Sequence, residues 1–210
     1  WFRYHHLFAD VLAARALMEQ PAQVPLLHQR ASAWYAANGL FADAIRHALA
    51  AKDFVCAAGL IERAWPAMDG SFQTATWLGW ARAIPDEVVR ARPVLRVTYA
   101  WAMLNGGDLA AAEARLIAVE QWLETGVDTG LNTGADGPAR LQAPAMEMIV
   151  VDEAQFRTLP ASIATARAYL AQSRGDLPVA VKYGQRALDL LPETDYLRRG
   201  PAAALLGLAQ

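Results

Sequence analysis

Between Ala164 and Pro192 the apolar residues recur three and four apart in two blocks, separated by the polar turn Arg174-Gly175-Asp176. That spacing gathers the apolar side chains of each block on one face of an α-helix. Small residues occupy the positions where such helices must touch: Ala168 on the first, Ala180 and Ala187 on the second. Gly175 can take the left-handed backbone that often closes a helix, and Asp176 can cap the helix that follows. Pro192 then stops it, because its ring clashes with a continuing turn.

The unit recurs. Gly39, Gly107 and Gly175 are separated by two equal intervals of 68 residues. Each lies seven residues after a small residue (Ser32, Ala100, Ala168) and five before an alanine (Ala44, Ala112, Ala180). The interval is twice the period of about 34 of the tetratricopeptide repeat, which the pattern resembles. One helix pair cannot bury its apolar face alone, so successive pairs stack on a shared core. The expected fold is all-α: a right-handed helical solenoid of tetratricopeptide-like pairs.

Elsewhere the pattern is read segment by segment. Phe2 and Tyr4 alternate with Arg3 and His5, a period of two that fits the end of a short strand. Helical spacing covers 7–18, then 26–38 and 41–51, with Pro21 and Pro25 between the first two. A helix over 54–67 is expected to stop near Pro66, and the next to start at Gly70 or Ser71 and run to Ile84. A short turn of helix over 86–91 precedes the pair 94–105 and 109–124, for which Asp108 is the N-cap candidate. The stretch 125–138, rich in Gly, Asp and Thr, predicts a mobile surface loop. The apolar run from Met146 to Val151 suits strand or buried helix; its helical flanks favour a helix over 144–158. Pro160 opens the pair described first, and another helix starts at Tyr196.

Composition narrows the function. A chain of 210 residues with 55% hydrophobic and 19% charged residues has ample core. Its net charge of −2, with Lys52 and Lys182 the only lysines, is no polybasic footprint, and no direct nucleic-acid contact is expected. Cys56 is alone, which precludes an intramolecular disulfide and fits a reducing compartment. No apolar run has the length of a membrane span, so no membrane contact is expected. The opening on Trp1 and the apolar close from Pro201 to Gln210 lead us to expect a piece of a larger protein, its superhelix cut at the C-terminal end.

Two segments carry a further resemblance: WFRYHHLFADVLAAR, residues 1–15, and LHQRASAWYAANGLFADAIRHALAAKDF, residues 27–54. In this order and separation they are similar to the middle of the large ATP-binding LuxR-type regulators of the maltose-regulon activator kind. The resemblance implies that residues 1–22 end a winged-helix piece, and that 23–210 are helical arm and tetratricopeptide-like superhelix. It is specific over about the first quarter of the chain and repeat-like beyond. No G-x-x-x-x-G-K-[ST] phosphate loop is present, so ATP or ADP is expected only in a nucleotide-binding domain outside these residues, and no cofactor within them. The implied role is a cytoplasmic, non-enzymatic sensor that binds an effector or regulatory protein and relays its state to that nucleotide switch. A tetratricopeptide scaffold for protein partners, with no small ligand, is the alternative.

Candidate chemistry is sparse. His5, His6, His28 and His47 lack metal-ligand spacing, and His28 and His47 are read as capping or decorating helices. Cys56, in an alanine-rich helix with no base motif nearby, is expected to be buried packing. Asp152, Glu153 and Glu113 fall on separate elements, which leaves no paired acids for catalysis. Among Trp77, Trp80 and Trp101, core packing is the commoner fate. Trp101 follows the small-contact residue Ala100 and so turns toward the groove wall; Tyr169 follows Ala168 in the same way. One turn on, Asn105 and Gln172 share that wall. Aromatic plus amide suits a polar ligand or an extended peptide. Finally, Arg3-Tyr4-His5-His6-Leu7 resembles the Met-His-Asp-like motif of related nucleotide switches. There the histidine reaches the β-phosphate of ADP, a role that the resemblance implies for His5; His6 departs from the usual acidic residue.

Overall fold

The computed structural model describes residues 6–128 and 148–209, and among these the chain is helical with no strand. The predicted strand end at Phe2–Tyr4, His5, and the loop beyond Asp128 lie outside the described residues. The first helix, α1 (His6–Glu19), and α2 (Gln23–Ala37) are separated by a short turn. Then come α3 (Phe41–Ala50), α4 (Phe54–Gly70), α5 (Thr74–Arg82) and the single-turn α6 (Asp86–Arg90). The central pair is α7 (Pro93–Asn105) with α8 (Leu109–Asp128). After the short α9 (Glu153–Arg157) follow α10 (Leu159–Ser173), α11 (Leu177–Leu190) and α12 (Tyr196–Leu208).

Neighbours in sequence pack as pairs: α2 on α3, α4 on α5, α7 on α8 and α10 on α11. The first helices of successive pairs also touch, α4 on α7, α7 on α10 and α10 on α12. This is the all-α solenoid that the repeat predicts. Its basis is visible at the three turns, where Gly39, Gly107 and Gly175 have φ of 73°, 82° and 77°. A side chain at these positions would be strained, which explains the glycine at each interval. The six small residues around them, Ser32, Ala44, Ala100, Ala112, Ala168 and Ala180, are all buried. The Ser32 hydroxyl donates to the Ala44 carbonyl at 2.8 Å, so the two small positions of a unit face each other across the helix pair. Asp108 and Asp176 cap as expected, accepting from the backbone N–H of Ala111 and Val179.

One apolar core runs from α3 to α10, with Trp77, Ile45, Leu60, Ile61, Leu95, Leu104 and Leu116 fully buried. Trp77 also satisfies its indole N–H, which donates to the Ile61 carbonyl at 2.9 Å. In contrast, α1 leaves Val11, Leu12, Leu17 and Met18 exposed, so the apolar residues of the predicted helix over 7–18 that are described at these positions meet no core among the described residues.

Several expectations are corrected. Helix α4 continues through Pro66 to Gly70 instead of stopping, because its buried stripe from Ala57 to Ala64 outweighs the roughly 3 kcal/mol that an interior proline costs. Pro25 lies in the first turn of α2, where a missing N–H breaks no ladder bond. Neither Gly70 nor Ser71 starts α5; they close α4, and Phe72 takes the left-handed turn with φ of 57°. Helix α8 reaches Asp128, so the first four residues of the predicted loop are helical. Residues 148–152 are not helix: the Ile149 N–H donates to the Ala91 carbonyl at 2.9 Å, and helix begins only at Glu153. The β-branched run Ile149-Val150-Val151 favours this extended path. Cys56 is exposed, since it stands in the capped first turn of α4 while Ala57, Ala58, Leu60 and Ile61 face inward.

Candidate functional site

The four residues predicted to line one groove wall stand on α7 and α10, which pack on each other, with α4 against α7. Trp101 and Asn105 stand one turn apart on α7; on α10 Tyr169 stands at the place that matches Trp101, and Gln172 follows it by three residues. Ala100 and Ala168 are buried, as helix-contact residues must be, and Trp101 and Tyr169 beside them are half-buried against the core. The Trp101 indole N–H donates to the Ser162 hydroxyl at 2.8 Å and so ties α7 to α10. Asn105 is exposed, and its amide donates to the Asp69 carboxylate at 2.9 Å, which ties α7 to α4. Partial burial raises the Asp69 carboxyl above its ordinary range, and the Asn105 amide works against that rise. Gln172 is half-buried, and its backbone carbonyl accepts the Gly175 N–H of the turn. The wall is therefore a strip of aromatic rings and amides on which two polar side chains already hold internal partners.

Ser162 and Asp69 were not legible as partners, for their bonds span 61 and 36 residues between separate helices. His28 and His47 also meet across α2 and α3, with Nδ1 to Nδ1 at 2.8 Å, while Tyr35 stacks on His47 with centroids 5.4 Å apart. One ring donates and the other accepts, so the bond needs at least one neutral imidazole. Burial, then Arg46 and His28, lower the His47 pKa, and Asp43 opposes them. Among the described residues no three His, Cys, Asp or Glu side chains gather as a metal would require.

A second polar site is buried. Arg92, the residue before α7, directs Nη1 to the Glu62 carboxylate at 3.4 Å and Nη2 to the Val55 carbonyl at 3.1 Å. Their side chains are 4% and 3% exposed. Burial pushes the Glu62 carboxyl up to about 6, against the pull of Arg92. Arg92 Nε has no partner among the described residues. The pair pins α4 to the start of α7.

On the far side of α7, α8 is tied to α10 by ions: Arg167 pairs with Glu120 and, at 3.7 Å, with Glu113, which also binds Arg174 at 2.6 Å.

No protein-family model matches the chain, and no solved structure matches it. Curated relatives do. The chain is 31% identical over 208 residues to the HTH-type transcriptional regulator MalT of Serratia proteamaculans, a match to 99% of this chain and 20% of that protein. For MalT of Klebsiella pneumoniae the identity is 26% over 213 residues, again 99% of this chain and 20% of the relative. The serine/threonine-protein kinase PknK of Mycobacterium tuberculosis is 38% identical over 102 residues, 49% of this chain and 9% of that protein. The chain spans about a fifth of the length of the MalT relatives. Similarity thus continues along the repeats, beyond the first quarter in which the sequence motifs are specific.

Proposed function

The chain is MalT-like along 99% of its length, and from that premise we propose that it works as a non-enzymatic sensor and interaction module of a LuxR-type transcription regulator. In this reading the module acts in the cytoplasm, where it binds an effector or regulatory protein and relays the bound state to a nucleotide switch elsewhere in the same protein. The observation that carries it is the repeated placement of Trp101 and Tyr169 beside buried alanines on two helices that pack together. Asn105 and Gln172 supply amides on the same wall, as recognition of a polar ligand requires. Thermal-shift and calorimetric screens of sugars and other polar metabolites test it. A hit whose binding is lost in Tyr169→Ala and Asn105→Ala supports the reading; a hit indifferent to both, or no hit at all, removes it.

A second reading, a scaffold for protein partners, draws on a specific feature. The Trp101 N–H and the Asn105 amide each already have a protein partner, which leaves ring faces more than free donors. Binding of peptides together with a flat metabolite screen favours it. In the whole regulator, His5 would hold the β-phosphate of ADP, as the motif resemblance implies. His5→Leu there should weaken ADP retention and raise activity without effector; wild-type ADP affinity and full effector dependence would count against that role.

A further inference from the structure

Helix α8 buries a stripe of Ala112, Leu116 and Val119, and at about 100° per residue its two borders are set by different residues. On one border Glu113 and Glu120 meet Arg167 and Arg174, so the charges there are matched. The other border carries Arg115, Ala118 and Trp122, and it faces α7. Arg96 of α7 donates from Nη2 to the Ala118 carbonyl at 2.8 Å, and its guanidinium lies over the Trp122 ring, 5.6 Å from the centroid. Arg115 crosses the same seam in the other direction and sits 3.9 Å from the centroid of the Tyr99 ring. Arg96 and Tyr99 are one turn apart on α7, as are Arg115 and Ala118 on α8, so the two guanidiniums cross the same seam at neighbouring turns. Arg90 stands at the end of α6, the short helix that packs on α7 just before Arg96. Burial first, and then Arg115 and Arg90, lower the Arg96 pKa, as expected of like charges held together.

No carboxylate among the described residues lies within ion-pair distance of these three side chains. Their donors are largely uncommitted: Arg96 uses one nitrogen on Ala118, and Arg90 makes a single long bond of 3.4 Å to the Asp86 carbonyl. Three cations fixed in place by ring and backbone contacts, with no counter-charge, lower their energy by taking an anion. We propose that Arg90, Arg96 and Arg115 form an oxyanion site for the phosphoryl group of a phosphorylated small molecule. The charge suits a phosphate monoester, which carries about −1.5 to −2 at neutral pH. Asp86 and Glu87 on the exposed face of α6 repel an extended polyanion and so favour a compact one. This site is separate from the α4–α7–α10 wall and does not depend on the function proposed for that wall.

Titration of the 210-residue chain with glycerol phosphate and inorganic phosphate at low ionic strength, followed by calorimetry and tryptophan fluorescence, tests the proposal. Saturable binding is expected, about tenfold weaker in Arg115→Gln and several-fold weaker in Arg90→Gln, in line with the loss of one charge-assisted bond. Binding should tighten between pH 5.5 and 7.5 as the ester reaches its dianion near a pKa of about 6, and Tyr169→Ala should leave it intact. Glycerol phosphate bound while inorganic phosphate is not would identify an organic ester as the source; the reverse would identify free phosphate. Arg90→Gln and Arg115→Lys guard against a variant that fails to fold. No saturation by about 10 mM, a range where three good charge-assisted bonds should already act, overturns the site. So does equal affinity in both Gln variants, or binding of acidic peptide or nucleic acid alone.

Discussion

The join within each helix pair and the join between α4 and α7 solve the same packing problem with opposite chemistry. Within the pairs, alanine and serine let two helices close over a glycine turn, and nothing charged is buried: Ala44, Ala112 and Ala180 are fully enclosed. Between α4 and α7 a carboxylate and a guanidinium are enclosed together, and one of them is left with an unpartnered nitrogen. The small residues of the first kind of join tolerate little added volume and do not themselves titrate. The second tolerates changes of shape but not loss of a charge, because in a low-dielectric interior either partner alone is costly. A solenoid built only from the first kind would have uniform joins. This one has a polar pin at the place where the short α6 interrupts the succession of pairs.

The largest effect should come from breaking the pin on one side. Glu62→Ala leaves Arg92 buried without its carboxylate and should destabilise the fold by about 3–5 kcal/mol in urea melts. A loss under about 1 kcal/mol would mean that Arg92 reaches water and that the pair is not truly enclosed.

Overpacking a small-residue join comes next. Ala180→Phe should cost about 3 kcal/mol, at the upper end for added volume in a tight contact, and should leave the helix content of the remaining pairs unchanged by circular dichroism. A neutral result would mean that α10 and α11 can separate without loss, contrary to full burial of Ala168 and Ala180.

The two joins also differ in their response to pH. A Glu62 carboxyl raised to about 6 binds a proton more readily in the folded chain than in the unfolded one. Its contribution is therefore most favourable below the ordinary carboxylate range and is lost as pH rises through about 6, a change of about 2 kcal/mol for a shift of this size. His47 has the opposite sign, since its lowered pKa disfavours the folded state as pH falls. The informative quantity is the difference between wild type and Glu62→Gln: it should slope between pH 4.5 and 6.5 and flatten on either side. A flat difference across that window would show that Glu62 stays ionised throughout.

These joins were not equally legible in the sequence. Small-residue contacts recur at a fixed offset from glycine, so three copies of one pattern exposed them, along with the helix pairs and the caps at Asp108 and Asp176. The pin joins residues 30 apart that belong to no repeat, and neither Glu62 nor Arg92 differs locally from a solvated charge. Pro66 misled for a related reason: its local cost is real, but the burial that outweighs it comes from other helices. The run at 148–151 looked helical by its neighbours and instead follows the α6–α7 turn, a partner far away in the chain. Cys56 was judged by its alanine-rich company, whereas its place in the first turn decided its exposure. On the candidate wall, the equivalence of Trp101 and Tyr169 was readable from the repeat offset, but the commitments of Trp101 to Ser162 and Asn105 to Asp69 were not.

The smallest expected effect separates what the repeat requires from what one copy adds. Ser32 is the serine among three equivalent positions, the others being Ala100 and Ala168, and its hydroxyl donates to the Ala44 carbonyl. Ser32→Ala removes that bond, worth about 0.5–1.5 kcal/mol in a buried setting. The carbonyl is not left unsatisfied, since the α3 ladder already supplies it with an N–H. Alanine also favours helix over serine by a few tenths of a kcal/mol. The net loss should therefore be about 0.5 kcal/mol in urea melts, and α2 and α3 should stay paired. Ser32→Val, which adds a branched side chain at the same contact, should cost several times more. If the alanine variant instead loses as much as the valine variant, the first pair depends on its hydrogen bond and is not equivalent to the two that follow. If alanine stabilises, small size alone is what the position requires, and the serine is incidental to the join.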